Sequence, residues 1–419
     1  MKKIYYILLI CLFAVSGCAK KEQGGRVVIR LANAENLPDQ VKVMEEIANE
    51  FEKRNPDIKI NLAWGVKKDK ILTEISAGDP PDVFMWWQGL EDLRSRDALL
   101  PMNEYIKKYN VNLKRYFPAL VETYTFGEKL FGLPLQMKTS CLAYNKDLFD
   151  AAKLPYPDKT WTWDKYLEIA SKLTIDKDGD GRRDQFGTVL PWFIYWIAIN
   201  GGDVVDTKTM KCVIDRPKSR EALEFLYKLY KNACPAFSNQ ETSGASGSEM
   251  ESFLTGRTAM YVVPAWALGS CIKGMKNHRW ALAPVPKPSK GKMTGIFDDA
   301  CLVIANKTKH PEEAFRFINF YCGPEGMKIF ARGRNGIPAD REAANTVFAV
   351  PPPEGLKYYV DAAESSTKPL IPRVKNFLQI QSICQWSWDS ILMGSKDIDT
   401  ALSDCVKDVN KVLAESNVK

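Results

Sequence analysis

The run DPPDVFMWW, residues 79–87, ends an apolar stretch on two adjacent tryptophans, Trp86 and Trp87. Successive side chains on a strand point to opposite faces, so a single core cannot take both rings. A flat indole left at a strand exit is a platform on which a ligand with an apolar face can stack. Trp266, in VVPAW, closes another apolar run, and Trp192 and Trp196 precede the Gly201-Gly202 turn. A second constellation is DKDGDGRRD, residues 176–184. Asp176, Asp178, Asp180, Gly181 and Asp184 match positions 1, 3, 5, 6 and 9 of a calcium loop. Gly187 stands where the bidentate glutamate of position 12 belongs. Two readings stay open: a weak structural calcium site, or a tight turn held by aspartate-to-backbone bonds.

Nucleophilic and metal chemistry find little support. His278 and His310 are the two histidines, both in polar, helix-edge contexts, and there is no GxSxG elbow. Beyond Cys11 and Cys18, eight of the ten cysteines remain (10 − 2 = 8), and none forms a CxxC pair. A structural zinc site is therefore not expected. Several of these cysteines sit in apolar runs, such as Cys301 in ACLVIA, where buried thiols compete with disulfides as an explanation. No phosphate-cradling P-loop is present.

The chain opens MKKIYYILLICLFAVSGCAKKEQGG. Lys2 and Lys3 lead into the apolar segment 4–15, which has the length of a signal peptide rather than of a membrane span. Ser16-Gly17-Cys18 then gives the pattern of a bacterial lipoprotein signal, 1–17, with Cys18 lipidated and 18–25 as a tether. Cleavage would leave 419 − 17 = 402 residues, too many for one ordinary core and suited to two lobes. Removing Lys2 and Lys3 takes the formal charge from +7 to +5, spread without a basic block, and nucleic-acid binding gains no support.

The elements that must position these residues follow from periodicity. Residues 26–33 and 57–63 read as strands. Residues 39–54 repeat apolar residues at Val41, Met44, Ile47, Ala48 and Phe51, with Asp39 as a plausible cap, and 67–77 form a second helix ended by Gly78. PDVFMW supplies a third strand, so the pattern predicts right-handed crossovers, a parallel sheet and a ligand at the carboxyl ends of its strands. Amphipathic helices are expected over 161–173, with Thr160 or Thr162 as cap, and over 218–231, 311–321 and 396–415. Residues 238–248 form a polar loop.

In order, the segments FEKRNPDIKI, AGDPPDVFMW, FGLPLQMKTSCLAYNKDLFDAA, FLTGRTAMYVVPAW, NHRWALAPVPKP, TGIFDDACLVIANKTKHPEEAFRFINFYCGPEGMKIF and GIPADREA resemble the extracellular solute-binding proteins of ABC importers, in particular the sugar-binding family that includes maltose-binding protein. The resemblance spans essentially the whole mature chain. It implies a two-lobe α/β fold of the type II periplasmic-binding-protein kind, each lobe a mostly parallel sheet flanked by helices, with ligand between them. The lobes would be 26–137 plus 296–335 and 138–295 plus 336–419, with crossings near 136–141 and 293–299. It also implies that the chain, a monomer, captures a carbohydrate, as an oligosaccharide, by hinge closure and delivers it to permease subunits from an extracytoplasmic lipid anchor, without catalysis or a required cofactor.

The same resemblance places Trp86, with Trp87, on the sugar, Trp266 as a second stacking ring from the other lobe, and Trp192 in the cleft, while Trp196 suits the core. Trp161, Trp163 and Trp280 look structural, and Trp386 and Trp388 fall in a helix that reaches the cleft in some relatives. Glu35, Asn36, Lys138, Asp298, Asp299 and Arg334 are the polar candidates, each with an alternative as a solvated charge or an interlobe ion pair. Two rival functions remain: the same fold binding a polyamine or other small solute, and a surface glycoside hydrolase, which needs two carboxylates at a set separation.

Overall fold

The computed structural model describes residues 25–87, 89–236 and 247–417. The expected signal peptide, Cys18 and most of the 238–248 loop lie outside the described residues. Among the described residues no helix is long and apolar enough to cross a membrane.

The first lobe begins as the sequence predicts. Strand β1 (Val27–Ala32) runs parallel to β2 (Ile58–Ala63) and to β3 (Val83–Trp86), with Ile29 opposite Ile60 and Leu31 opposite Val83. Helix α1 (Pro38–Arg54) makes the first crossover and buries Met44, Ile47, Ala48 and Phe51, the 3.6-residue stripe. Its start differs from the expected one. Leu37 is the N-cap without a side-chain bond, Pro38 supplies the preset φ of the first turn, and Asp39 sits one step inside, where its charge complements the helix dipole. Helix α2 (Lys68–Ala77) makes the second crossover and stops at Gly78, whose φ of 79° is the left-handed conformation glycine adopts without strain.

The mostly parallel sheets expected of both lobes are instead mixed. The seven-stranded sheet of the first lobe continues from β3 to the antiparallel strand Ile296–Ile304, then antiparallel again to Leu133–Lys138 and Ile337–Pro338. The second lobe orders Trp280–Pro284, Ser140–Asn145, Thr258–Pro264 and Phe186–Thr188, and only the last pairing is parallel. The reason is topological. Leu133–Lys138 carries the chain out of the first lobe and Ile296–Ile304 brings it back, so the two must run in opposite directions. In the second lobe Ser140–Asn145 enters and Trp280–Pro284 leaves, with the same result. Parallel neighbours are kept where a crossover helix separates them.

A single residue, Thr139, joins the outgoing strand to the second sheet, and its buried hydroxyl donates to the Tyr359 carbonyl at 3.0 Å. Lys368–Pro369 pairs with the start of the returning strand before the chain enters the second core at Leu370 and Ile371. That core is organised by rings: Trp163 lies 4.7 Å from Phe225, and Trp196 lies 5.3 Å from Phe225 and 5.0 Å from Trp163. Trp161 and Trp163 are thus structural, as expected, and Thr162 caps the helix Trp163–Lys172. Trp388 is buried on Phe193. The eight cysteines from Cys141 to Cys405 are all buried thiols.

Candidate functional site

A cavity of about 530 Å³ lies where the two sheets face each other. From the first lobe it is lined by Glu35 and Asn36 after β1, Met85 and Trp87 at the end of β3, and Lys138 and Asp298 on the two crossing strands. The second lobe adds Trp192 and Tyr195, Tyr261 and Pro264 at the end of a strand, and Trp266 just beyond it. Gln381 and Gln385 reach in from the helix Phe377–Leu392. The site therefore sits at strand ends, where open α/β sheets hold ligands.

The tryptophan pair divides as pleat geometry demands, with the roles assigned to the unexpected partner. Met85 and Trp87 face the cavity, whereas Phe84 and Trp86 point the other way. Trp86 is 4 % exposed, meets Phe84 edge-on at 6.1 Å and donates its indole N–H to the Gly89 carbonyl at 2.7 Å. Trp86 is therefore a core residue, and Trp87 is the available platform. Of the remaining expected positions, Glu35, Asn36, Lys138, Trp192, Trp266 and Asp298 come together on the cavity wall.

Two expected residues do not. Asp299 neighbours Asp298 on the returning strand and so faces away from it, accepting a hydrogen bond from the Tyr124 hydroxyl at 2.7 Å. Its burial, and then the charge of Asp298, push its carboxyl up to about 6. Arg334 ends a helix at a φ of 55° and spends its guanidinium on the carbonyls of Phe348 and Val350, the latter at 2.6 Å. A helix C-terminus leaves carbonyls without partners nearby, and an arginine there satisfies some.

Lys68, the first residue of α2, was not among the expected site residues. It is 7 % exposed, with its ammonium 4.7 Å from the centre of the Trp86 ring and 4.4 Å from that of Trp87. The same ammonium donates to the Trp87 carbonyl at 2.5 Å. Burial holds it down to about 8, partly countered by the charge of Asp298. A sequence signal exists: Lys68 begins the stripe Lys68, Ile71, Leu72, Ile75 that packs α2 inward, an unusual place for an ammonium. Tyr195, Gln381 and Gln385 carried no comparable signal.

The charges in and behind the wall balance. Lys138 and Asp298 stand opposite each other in the strand pairing, with ammonium and carboxylate 3.7 Å apart, and Lys68 and Asp299 lie behind them. Glu35 adds a carboxyl that burial pushes up to about 7, against the opposing pull of Lys138 and a 3.4 Å hydrogen bond from Gln136. Among the described residues, three buried polar atoms at the wall have no hydrogen-bond partner: Glu35 Oε2, Trp196 Nε1 and Gln381 Oε1. An orphaned buried donor or acceptor costs roughly 1–3 kcal/mol, a penalty that a bound hydroxyl group removes. The arrangement suits a ligand that is neutral, apolar on its faces and rich in hydroxyls at its edges.

The aspartate loop contributes nothing to this cavity. Asp176, Asp178 and Asp184 each offer an oxygen within 4.8 Å of the others, all exposed, while Asp180 stands outside the trio. The carboxylates also close the turn. Asp176 accepts from the backbone N–H of Gly179 at 2.7 Å and of Gly181 at 2.8 Å, and Asp184 accepts from that of Lys177 at 2.6 Å.

With this geometry in view, the class is clear: a two-lobed α/β protein with a ligand cleft at the lobe junction. The family model of the bacterial extracellular solute-binding proteins matches residues 34–328, and the chain belongs to that family. Among its relatives, the arabinooligosaccharide-binding protein of Bacillus subtilis is 24% identical over 341 residues, covering 76% of this chain and 75% of that protein. The maltodextrin-binding protein of the same organism is 22% identical over 435 residues, covering 100% and 99%. A solved ABC substrate-binding protein from Listeria monocytogenes, in complex with cycloalternan, shares the fold with a TM-score of 0.82 at 23% identity, covering 93% of this chain and 99% of that one. The family is defined by binding solutes outside the cytoplasm.

Proposed function

We propose that this chain is the substrate-binding subunit of an ABC importer that captures a neutral carbohydrate, an oligosaccharide, between its lobes. Three indoles, Trp87, Trp192 and Trp266, stand on the cavity wall around a charge-balanced floor, and this observation carries the reading. A pyranose presents an apolar face to each ring and hydroxyls to Glu35, Asn36, Lys138, Asp298 and the glutamines of the cleft helix. Relatives named for binding arabinooligosaccharide and maltodextrin support the same class. Lobe closure about Thr139 and the returning strand would trap the sugar, in the way periplasmic binding proteins close on their solutes.

The expected lobes, 26–137 plus 296–335 and 138–295 plus 336–419, shift by a few residues at their seams, because Lys138 and Ile337–Pro338 belong to the first sheet. The protein works as a monomer, held at the extracytoplasmic membrane face by lipid on Cys18, and hands its cargo to permease subunits. Binding needs no cofactor. The aspartate loop is structural: its carboxylates close the turn, and a calcium ion would take Asp176, Asp178 and Asp184. Position 12 is Gly187, so such a site is weak. Lys68 and Lys138 count against a polyamine cargo, because a polycation seeks carboxylates without competing ammonium groups.

The experiment that tests this reading is incubation of the full chain with a panel of mono- and oligosaccharides, followed by recovery and chromatography of the sugar. A saturable change in tryptophan fluorescence with the sugar recovered intact supports a binding protein. Shortened sugar supports the hydrolase.

A further inference from the structure

Three of the buried thiols lie together, outside the cleft and unused by it. Cys405, on the terminal helix Ile398–Asn417, has its Sγ 3.7 Å from that of Cys384, on the cleft helix Phe377–Leu392. Cys212, on the short strand Lys211–Cys212, lies within interaction distance of the Cys405 thiol as well. All three are within the second core and shielded from solvent. The two helices pack against each other, and Ser387 donates across to the Ala401 carbonyl at 2.7 Å one turn from the cysteine pair. The family is extracellular, and compartments outside the cytoplasm allow disulfides to form and persist.

We propose that Cys384 and Cys405 are joined by a disulfide in the exported protein, stapling the terminal helix to the helix that carries Gln381 and Gln385 into the cleft. A disulfide needs its sulfurs about 2.0 Å apart. The sulfurs already touch, so side-chain rotation with a small helix shift closes the gap. The partners are 21 positions apart in the sequence, a loop long enough for a cross-link to restrict the unfolded chain appreciably. The oxidant is an exogenous disulfide, R–S–S–R, of the kind that protein thiol oxidases carry. One cysteine thiolate attacks it and expels RS⁻; the second attacks the mixed disulfide and expels another RS⁻. Two protons pass from the cysteines to the two leaving thiolates, the cysteines are oxidised, and R–S–S–R is reduced to two RSH.

Burial also sets the timing. Against an opposing hydrogen bond with Cys212, the contact with Cys384 and then burial raise the Cys405 thiol in the folded protein, which leaves little thiolate there to react. The bond therefore forms during folding, before the two helices seal, and reductant reaches it only after unfolding. Cys405 pairs with Cys384 rather than Cys212 because those two sulfurs meet at 3.7 Å between two long packed helices, although the strand of Cys212 is itself tied to the terminal helix, its backbone N–H donating to Asn410 at 2.8 Å.

The test is thiol counting by mass spectrometry on the exported full chain, alkylated at lysis and unfolded without reductant. The expected result is six alkylated cysteines among Cys141 to Cys405 and one peptide pair joined through Cys384 and Cys405, with eight alkylated after reduction. Cys384→Ser and Cys405→Ser should each leave the other thiol alkylatable and lower the melting temperature by several degrees, whereas Cys212→Ser leaves the joined pair in place. Eight alkylated cysteines before reduction, or a Cys212–Cys405 peptide pair, would overturn the proposal. The wild-type count decides the matter even where a variant fails to fold.

Discussion

The ammonium of Lys68 lies 4.4 Å from the centre of the Trp87 ring while donating to the carbonyl of the same residue at 2.5 Å. One buried cation thus fixes both the backbone and the ring of the indole that faces the cleft. The fold places an expensive charge here and recovers its cost through two aromatic faces, a carbonyl and the nearby carboxylates of Asp298 and Asp299.

Replacing Lys68 should loosen the platform more than it harms the fold. Lys68→Met keeps the stem and removes the charge, and should weaken sugar binding about 5- to 30-fold, corresponding to ~1–2 kcal/mol of lost cation–π and hydrogen-bond energy. Near-UV circular dichroism should change with it, since the indole loses its fixed environment. Native affinity together with a native near-UV spectrum would remove Lys68 from the site.

The two tryptophans should separate in a paired experiment. Trp87→Ala should cost at least about tenfold in affinity, or ~1.4 kcal/mol, with a small change in urea midpoint. Trp86→Ala should instead cost roughly 3–5 kcal/mol of stability by opening a cavity beside Phe84. If Trp86→Ala unfolds at the wild-type midpoint, its place in the core is wrong.

Glu35 makes stability fall with rising pH. Its carboxyl is held up to about 7 in the fold against 4.5 ordinarily, so between those values the folded chain keeps a proton that the unfolded chain has released. The unfolded state then binds fewer protons, and Glu35 contributes less stability at each step upward through that window. Glu35→Gln should flatten this part of the melting-temperature profile. An unchanged slope in the variant would mean that Glu35 titrates normally.

The aspartate loop gives a fourth test. Asp176→Ala removes the acceptor for two backbone N–H groups, and should lower the melting temperature even in the presence of a chelator. Added calcium should raise the melting temperature of the wild type only at millimolar concentration, as a loop lacking its bidentate glutamate requires. A variant as stable as the wild type in chelator would assign the carboxylates to the ion alone.

Much of this is legible in the sequence alone. Period-3.6 stripes located α1, α2 and the helix Pro311–Tyr321, and the alternation rule correctly required Trp86 and Trp87 to part. Alternation cannot say which neighbour faces the ligand, because that depends on which side of β3 the other lobe covers. The same ambiguity separated Asp298 from Asp299. Arg334 is not readable this way, because its guanidinium is held by the Phe348 and Val350 carbonyls, which only the fold brings near. Lys68 was readable as a lysine on an apolar stripe. The glutamines of the cleft helix were not, since polar residues on a half-exposed helix look alike whether they face water or sugar.

The central claim is that Trp87 is a stacking platform for a neutral sugar, and calorimetric titration tests it most directly. Wild-type chain and Trp87→Ala would each be titrated with a panel of neutral oligosaccharides and, in parallel, with spermidine. Saturable binding of at least one oligosaccharide, weakened tenfold or more by the substitution, with no heat from spermidine, is the predicted result. Saturable spermidine binding with silence across the sugars, or an oligosaccharide affinity that Trp87→Ala leaves unchanged, would contradict it.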